Sequence, residues 1–314
     1  MKADFNAGLQ ALAGKQYENA SELLQKASAL GQNQPAIWGA LAEADTGLAA
    51  TKPESEQRPL LLKAVEAYQH AVSLKPNEPA YLNNYALALG KTGRLDEAQK
   101  VTNQVISLDP AKAAVYSQNL GIMFHNAGRN RETIEILKSV PASAPQYKSA
   151  QWLISVSTVA VYLDSAKAKF SNLRGKQEAT DADVRKTGAE INQPVGDIGH
   201  FTVWDSTLTI PGGDCNVFQK SGDPAELQCA FDQAATVSEL KPSYDTLISM
   251  VGDAVKPNGS EWTSTEGAQS SDGLKHTFTG PQAEVHVSIY NRSYASSSMN
   301  MLKYRVSLDI IAPQ

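Results

Sequence analysis

Three stretches of the N-terminal half share one design: Gly14-Lys15-Gln16-Tyr17-Glu18-Asn19-Ala20, Gly93-Arg94-Leu95-Asp96-Glu97-Ala98 and Gly128-Arg129-Asn130-Arg131-Glu132-Thr133. Each closes one expected helix on glycine and opens a second on a large residue followed by acids and a small residue. Glycine ends helices because it takes positive φ cheaply, and proline stops them because it cannot continue them. Pro76, Pro110 and Pro145 close successive units at intervals of 34 and 35 residues. A period of that length with two helices in it constrains the fold more than any other feature of the chain. One helix pair cannot bury its apolar face alone, so the units must stack.

The residues within each period fit that reading. Unit one carries Gly8, Ala20, Leu24 and Ala27. Unit two has Trp38, Leu41, Ala42, Ala64, Tyr68 and Ala71, and unit three Leu82, Tyr85, Ala86, Ala98 and Val105. Unit four has Leu120, Gly121, Phe124, Thr133, Leu137 and Val140. Small residues let two helices approach, and large ones fill the groove of the next helix. Unit two departs from the pattern: Ala50 to Pro59, with Pro53 and Pro59, predicts a protruding loop of about ten extra residues between its helices. The punctuation resembles the tetratricopeptide repeat, over roughly residues 3–175. That resemblance implies a binding scaffold in which the first helix of each pair lines a concave groove.

Composition agrees with more than one folded part. The chain has 314 residues, 42% hydrophobic and 19% charged, with a net charge of −5; domains usually run to ~100–200 residues. The acidic balance, with no basic stripe, argues against nucleic acid as a partner. No apolar stretch reaches the ~20 residues of a membrane span. Met1-Lys2-Ala3-Asp4 leads straight into the first unit, so no signal peptide is expected within the sequence. That leaves an exported, periplasmic protein without its leader, the preferred reading, or a cytoplasmic one.

After Pro145 a long helix is expected, roughly Gln146 to Arg174. Trp152, Val156, Val159, Leu163 and Phe170 form one apolar stripe, and Leu153, Ile154, Val161 and Tyr162 a second. A helix apolar on two sides needs cover, either from the C-terminal domain or from a second copy in a homodimer. The expected organisation is therefore multidomain. An all-α helical-repeat solenoid, about four units plus the long capping helix, spans 1–175; a polar linker spans 176–193, with Val184 and Ile191 its larger apolar residues. An α+β domain with an antiparallel sheet spans 194–314.

In that last part the periodicity changes to alternation. Leu302, Tyr304, Val306, Leu308 and Ile310 point one way, with Lys303, Arg305, Ser307 and Asp309 the other. Val285, Val287 and Ile289 mark another strand, and further strands are expected near 199–210, 214–220, 226–231, 260–266 and 273–279. One helix is expected to begin at Ser243, after Pro242, with Tyr244, Leu247, Ile248, Val251 and Val255 on one face.

Ser221-Gly222-Asp223-Pro224 reads as a turn with Gly222 at the midpoint of Cys215 and Cys229. Folding there sets Cys215 opposite Cys229 and Val217 opposite Leu227, on one face with Phe231, while Asn216 and Gln228 face away. Facing thiols can form a cross-strand disulfide, which would favour an oxidising compartment; two buried free thiols are the alternative. His276 and His286 share a midpoint at Pro281, but Leu274 and Phe278 match Val285, Val287 and Ile289 only if the hairpin turns on Gly280–Ala283. That register points His276 inward and His286 outward, so no metal site is expected, and no third ligand is placed by spacing. The sequons at Asn19, Asn258 and Asn291 are short enough to arise by chance.

No G-x-S-x-G elbow, H-E-x-x-H, C-x-x-C or phosphate-cradling glycine loop occurs, and no cofactor is implied. Scattered acids such as Asp205, Glu261 and Glu266 cannot be placed together from sequence. Asn6, Asn84 and Asn119 stand at one place in units one, three and four, two residues before the small residue of the first helix; unit two has Ala40 there. In peptide-binding members of the resembled family, asparagines at this place grip the backbone of an extended peptide. A carboxamide both donates and accepts, which suits that task. Asn83, Gln118, His125 and Asn126 would flank the ladder. The basic carboxylate clamp known in such repeats is not matched, because Phe5, Leu9, Ala80 and Val115 hold its places. The expected function is a non-enzymatic, bacterial, envelope-associated adaptor binding a protein or peptide partner. An enzyme or carbohydrate-binding module in the C-terminal domain, with the repeats as docking arm, is the alternative.

Overall fold

A computed structural model describes residues 1–183, 199–234, 236–267, 273–291 and 304–313. The chain divides into two compact units, Met1–Ala150 and Gln151–Gln314.

The first unit is a run of helix pairs: α1 (Lys2–Ala13) with α2 (Tyr17–Leu30), α3 (Pro35–Thr51) with α4 (Glu54–Leu74), α5 (Pro79–Lys91) with α6 (Leu95–Leu108), and α7 (Ala113–Asn126) with α8 (Asn130–Leu137). Each helix packs on its partner and on the next in sequence, and α1 also meets α3 as α5 meets α7. The small residue of the first helix sets the closeness of each pair. A Cβ built on Gly8 would lie 2.6 Å from Leu24, and one on Gly121 2.5 Å from Leu137. Leu24, Ala42, Ala64, Leu89, Ala98 and Phe124 are fully buried in one continuous core along the array, so the stacking obligation is met by shared side chains.

The recurring Gly-Arg-x-x-Glu has a physical basis. Gly93 and Gly128 take φ of +82° and +72°, where a side chain would be strained. The arginine that follows stands at the N-cap of the next helix and forks onto the glutamate three residues on: Arg94 reaches Glu97 at 2.6 and 2.7 Å, and Arg129 reaches Glu132 at 2.9 Å. Arg129 also pairs with Asp96 at 2.7 Å, tying unit four to unit three. In unit one the positive φ falls on Lys15, at +55°, rather than on Gly14.

The predicted loop of unit two is absent. Its extra residues lengthen α3 and α4, and only Lys52 and Pro53 separate the two helices. Pro59 lies inside α4, where a proline one turn or so from the N-terminus removes few helical bonds. The favourable run Glu54–Arg58, with two acids in the first turn, carries the helix through it.

The long helix α9 spans Tyr147–Ala166, shorter than the expected 146–174. Its residues from Gln151 on belong to the second unit, so the division falls at 150 rather than 175. From Ile154 to Ala166 only Ala160 and Asp164 keep appreciable exposure. Ser155, Thr158 and Ser165 satisfy their buried hydroxyls by donating to carbonyls four residues back, and the Tyr162 hydroxyl donates to the Leu208 carbonyl at 2.6 Å. The apolar stripes of α9 from Ile154 to Ala166 are thus largely covered within the chain, while Trp152 and Leu153 stay half-buried.

Among the described residues the sheet has eight antiparallel strands in the order β1 (Arg174–Thr180), β2 (Phe201–Ser206), β3 (Asp214–Lys220), β4 (Glu226–Ala234), β8 (Tyr304–Ile311), β7 (Glu284–Asn291), β6 (Gly273–Thr279), β5 (Thr263–Glu266). β1 corrects the sequence reading, since residues 176–180 of the expected linker form an edge strand paired with β2. It escaped notice because its side chains are mostly exposed and alternation is visible only where one face is buried. Residues 184–198, with Val184 and Ile191, lie outside the described residues, as do Leu302 and Lys303.

Two apolar rows cross the sheet: Val217, Leu227, Ile310, Val285 and Phe278, then Cys215, Cys229, Leu308, Val287 and His276. Helix α10 (Val237–Val255) lies against β4, β8, β7 and β6 and buries Leu240, Tyr244, Leu247, Met250 and Val251. It begins two turns before Ser243. Thr236 and Glu239 form a capping box, each side chain bonding the other's backbone N–H, at 3.4 and 3.2 Å, and that signal outweighs Pro242. Ser243 is no cap; its hydroxyl donates to Asp232.

Candidate peptide-binding groove

Asn84 of the ladder lines a cavity. The cavity, of about 360 Å3, has two facing stripes: Glu43, Thr46, Gly47 and Ala50 on α3, and Asn84, Leu87, Ala88 and Lys91 on α5. Both stripes have the spacing i, i+3, i+4, i+7, which places four side chains on one helix face. Tyr17 and Tyr68 complete the wall. The room exists because α3 presents small residues. At Gly47 a Cβ would sit 2.3 Å from the Tyr17 ring, so only glycine lets that ring lie flat on α3.

The Asn84 carboxamide is partly engaged already. Its Oδ1 accepts from Asn83 Nδ2 at 3.3 Å, and the Tyr68 hydroxyl lies near Asn84 and Thr46. Tyr68 is 4% exposed, and burial pushes its phenol above the ordinary range, so it stays neutral. A carboxamide offers two donor hydrogens and two acceptor lone pairs. Asn84 therefore keeps a lone pair and its donor hydrogens toward the cavity and the nearby Tyr68 hydroxyl.

Asn6 is exposed on α1, and Asn119 half-exposed on α7; neither lines this cavity. Gln118 donates to Ser149 at 2.7 Å, while Asn126 is exposed and His125 half-buried at the end of α7. Sequence reasoning missed Tyr17, Glu43, Thr46, Tyr68, Leu87 and Lys91. Leu87 and Lys91 were within reach, because they follow Asn84 at helical spacing, and Glu43 because it follows the small residue Ala42. Leu9, Leu87 and Ile122 hold that same place in the other units; Leu9 and Ile122 are 38% and 40% exposed.

In the sheet, Cys215 and Cys229 face each other in the expected register and are joined through sulfur. Leu274 faces Ile289 and Phe278 faces Val285, as the turn on Gly280–Ala283 requires. His276 bonds Ser264 at 2.7 Å and His286 bonds Glu284. The two rings lie on opposite faces, and among the described residues no group of three His, Cys, Asp or Glu is placed to hold a metal.

Comparison with known proteins bears on the helical half. The sequence model of the tetratricopeptide repeat matches residues 79–112. A small glutamine-rich tetratricopeptide repeat-containing protein 2 of Mycosarcoma maydis is 38% identical over 72 residues, 23% of this chain and 20% of that protein. The TPR repeat-containing thioredoxin TTL4 of Arabidopsis thaliana is 38% identical over 66 residues, 21% of this chain and 10% of its own. The chain thus spans a fifth or less of the length of these curated relatives. A crystal structure of MamA protein aligns at 14% identity with a TM-score of 0.43, covering 62% of this chain and 97% of that one. Residues 79–112, the pair α5–α6, are a tetratricopeptide repeat, set in an N-terminal unit of helix pairs of the same form.

Proposed function

We propose that the protein is a non-enzymatic adaptor that binds an extended segment of a partner protein along the first helices of its repeats. The carrying observation is the cavity between the α3 and α5 stripes, with Asn84 in its wall and unused hydrogen-bonding capacity on that carboxamide. The aliphatic places at Leu9, Leu87 and Ile122 support the reading, since they set apolar side chains beside the carboxamide positions. No observation favours the alternative of an enzyme or carbohydrate-binding module in the sheet domain, and it is not carried forward.

The test is capture of partners from the source organism with the Asn84→Ala/Asn119→Ala variant as control. A neutral hydrogen bond contributes ~0.5–1.5 kcal/mol, so the pair should weaken a captured ligand by roughly 1–3 kcal/mol. Because Asn84→Ala also changes the surroundings of the buried Tyr68 hydroxyl, the Asn119→Ala single variant and a thermal melt separate lost contact from lost stability. Affinity unaltered in the double variant would move the site elsewhere. An exported location belongs to the same proposal. The Cys215–Cys229 bond supports it, because such bonds persist where the surroundings are oxidising. Alkylation of both thiols in freshly made, unreduced protein would contradict it.

A further inference from the structure

The cavity's charges distinguish between classes of bound segment. Glu43 and Lys91 both line it, yet they are not equivalent. Lys91 is in the last turn of α5, where the helix's own carbonyl end already favours a cation. Glu43 is exposed in the interior of α3, a helix that carries no basic residue. The only other charge on α3 is also acidic. Asp45, 4% exposed, accepts from Ser21 at 2.5 Å and lies off the cavity face; burial raises its carboxyl, so Glu43 is the one acid of α3 in the cavity wall.

The walls agree with the charge. Leu87, Ala50 and Ala88 give an apolar lining that suits the methylene stem of a long side chain. Tyr17, laid flat on Gly47, gives a ring of the kind that attracts cations. At about 360 Å3 the space is near the small end of ligand pockets, ~300–1,000 Å3. It suits one side chain of an extended segment, not a folded domain.

We infer that this cavity receives a lysine or arginine side chain of the bound segment, with Glu43 as its counter-charge and Tyr17 and Leu87 against its stem. The inference rests on the peptide reading above and adds to it a position-specific preference for a basic residue among uncharged neighbours. Lys91, exposed in the last turn of α5, opposes the incoming cation, so its replacement should strengthen the lysine preference rather than remove it.

The probes are three capped, fluorescent peptides of serine, alanine and leucine that differ only in a central lysine, norleucine or glutamate. They are titrated into the full chain, its Glu43→Gln variant and its Lys91→Gln variant. The lysine peptide should bind best, by about three- to tenfold over norleucine, the size of one partly desolvated charge pair. Glu43→Gln should remove that preference, and Lys91→Gln should keep the order of the three. Equal binding of all three, or a lysine preference that survives Glu43→Gln, overturns the inference and leaves the groove reading standing. No binding of any peptide to protein that circular dichroism shows to be folded overturns both. Glu43 is exposed and glutamine nearly isosteric, so the variant keeps the fold on which the comparison depends.

Discussion

The helical unit and the sheet unit bury similar residues by opposite routes. In the first, every backbone hydrogen bond of a helix is made within that helix, and each core side chain meets a neighbour about one period away. In the second, no strand can satisfy its backbone alone, and β4 finds β8 across roughly seventy residues of chain. The difference shows in what a single residue can do. In the repeats, a local fault such as a strained φ stays local, because each pair contacts only its neighbours. In the sheet, β4 and β8 join two meanders, β1–β4 and β5–β8, so a fault there is felt on both sides.

The largest expected effect tests the sheet. Cys215 and Cys229 close a loop of 14 residues between β3 and β4, and a cross-link of that span contributes ~3 kcal/mol on the chain-entropy account. Replacing both by alanine should lower amide-exchange protection throughout β3, β4 and β8 by about that amount and leave α1–α8 unchanged. Loss confined to β3 and β4 would break the comparison, since it would make the hairpin as local as a repeat.

A middle-sized effect comes from Asp309, which lies between Gln228 and His286 on neighbouring strands. Burial first, and the Glu226 carboxylate second, raise its carboxyl from the ordinary 3.8 to about 6. The neutral form is thus the one that the fold prefers. Its stabilisation is complete below the unfolded value near 4 and is lost as pH rises through about 6. Between those limits sheet stability should fall by on the order of 1–3 kcal/mol. Asp309→Asn should flatten that slope in pH-dependent melts; a slope that persists would assign it to another group.

The smallest effect sharpens the comparison from the helical side. Lys15 holds the left-handed conformation that Gly93 and Gly128 hold in later units. Relief of that strain by Lys15→Gly should stabilise α1–α2 by ~1 kcal/mol, seen as slower exchange in those two helices. A gain spread evenly over α1–α8 would show the array to be more cooperative than nearest-neighbour stacking.

Prolines misled the reading in both units, and for one reason. Pro59 and Pro242 look like breakers, yet each lies in the early part of a helix that other residues carry through it, acids at Glu54 and Glu56 in α4 and the Thr236–Glu239 capping box in α10. Edge strand β1 was read as linker because polar, exposed side chains carry no periodic signal. The hairpin registers were legible, because apolar matching across a short turn leaves one solution when one face is buried. Cys215 opposite Cys229 and Leu274 opposite Ile289 both follow from it.

By itself the sequence determined the repeat period, the helix pairs with their small residues, and the registers of the two hairpins. Each depends on residues near in sequence or on a periodicity that the chain displays outright. Only tertiary structure decided that α9 from Gln151 belongs with the sheet and that β4 pairs with β8. It also decided that Glu43 of α3 faces the same cavity as Asn84 of α5, with the Asn84 carboxamide partly engaged by Asn83. These are meetings between segments whose separate patterns are satisfied equally well by several partners. Close packing selects one of them, because only one arrangement fills the space and leaves few buried polar groups unpaired.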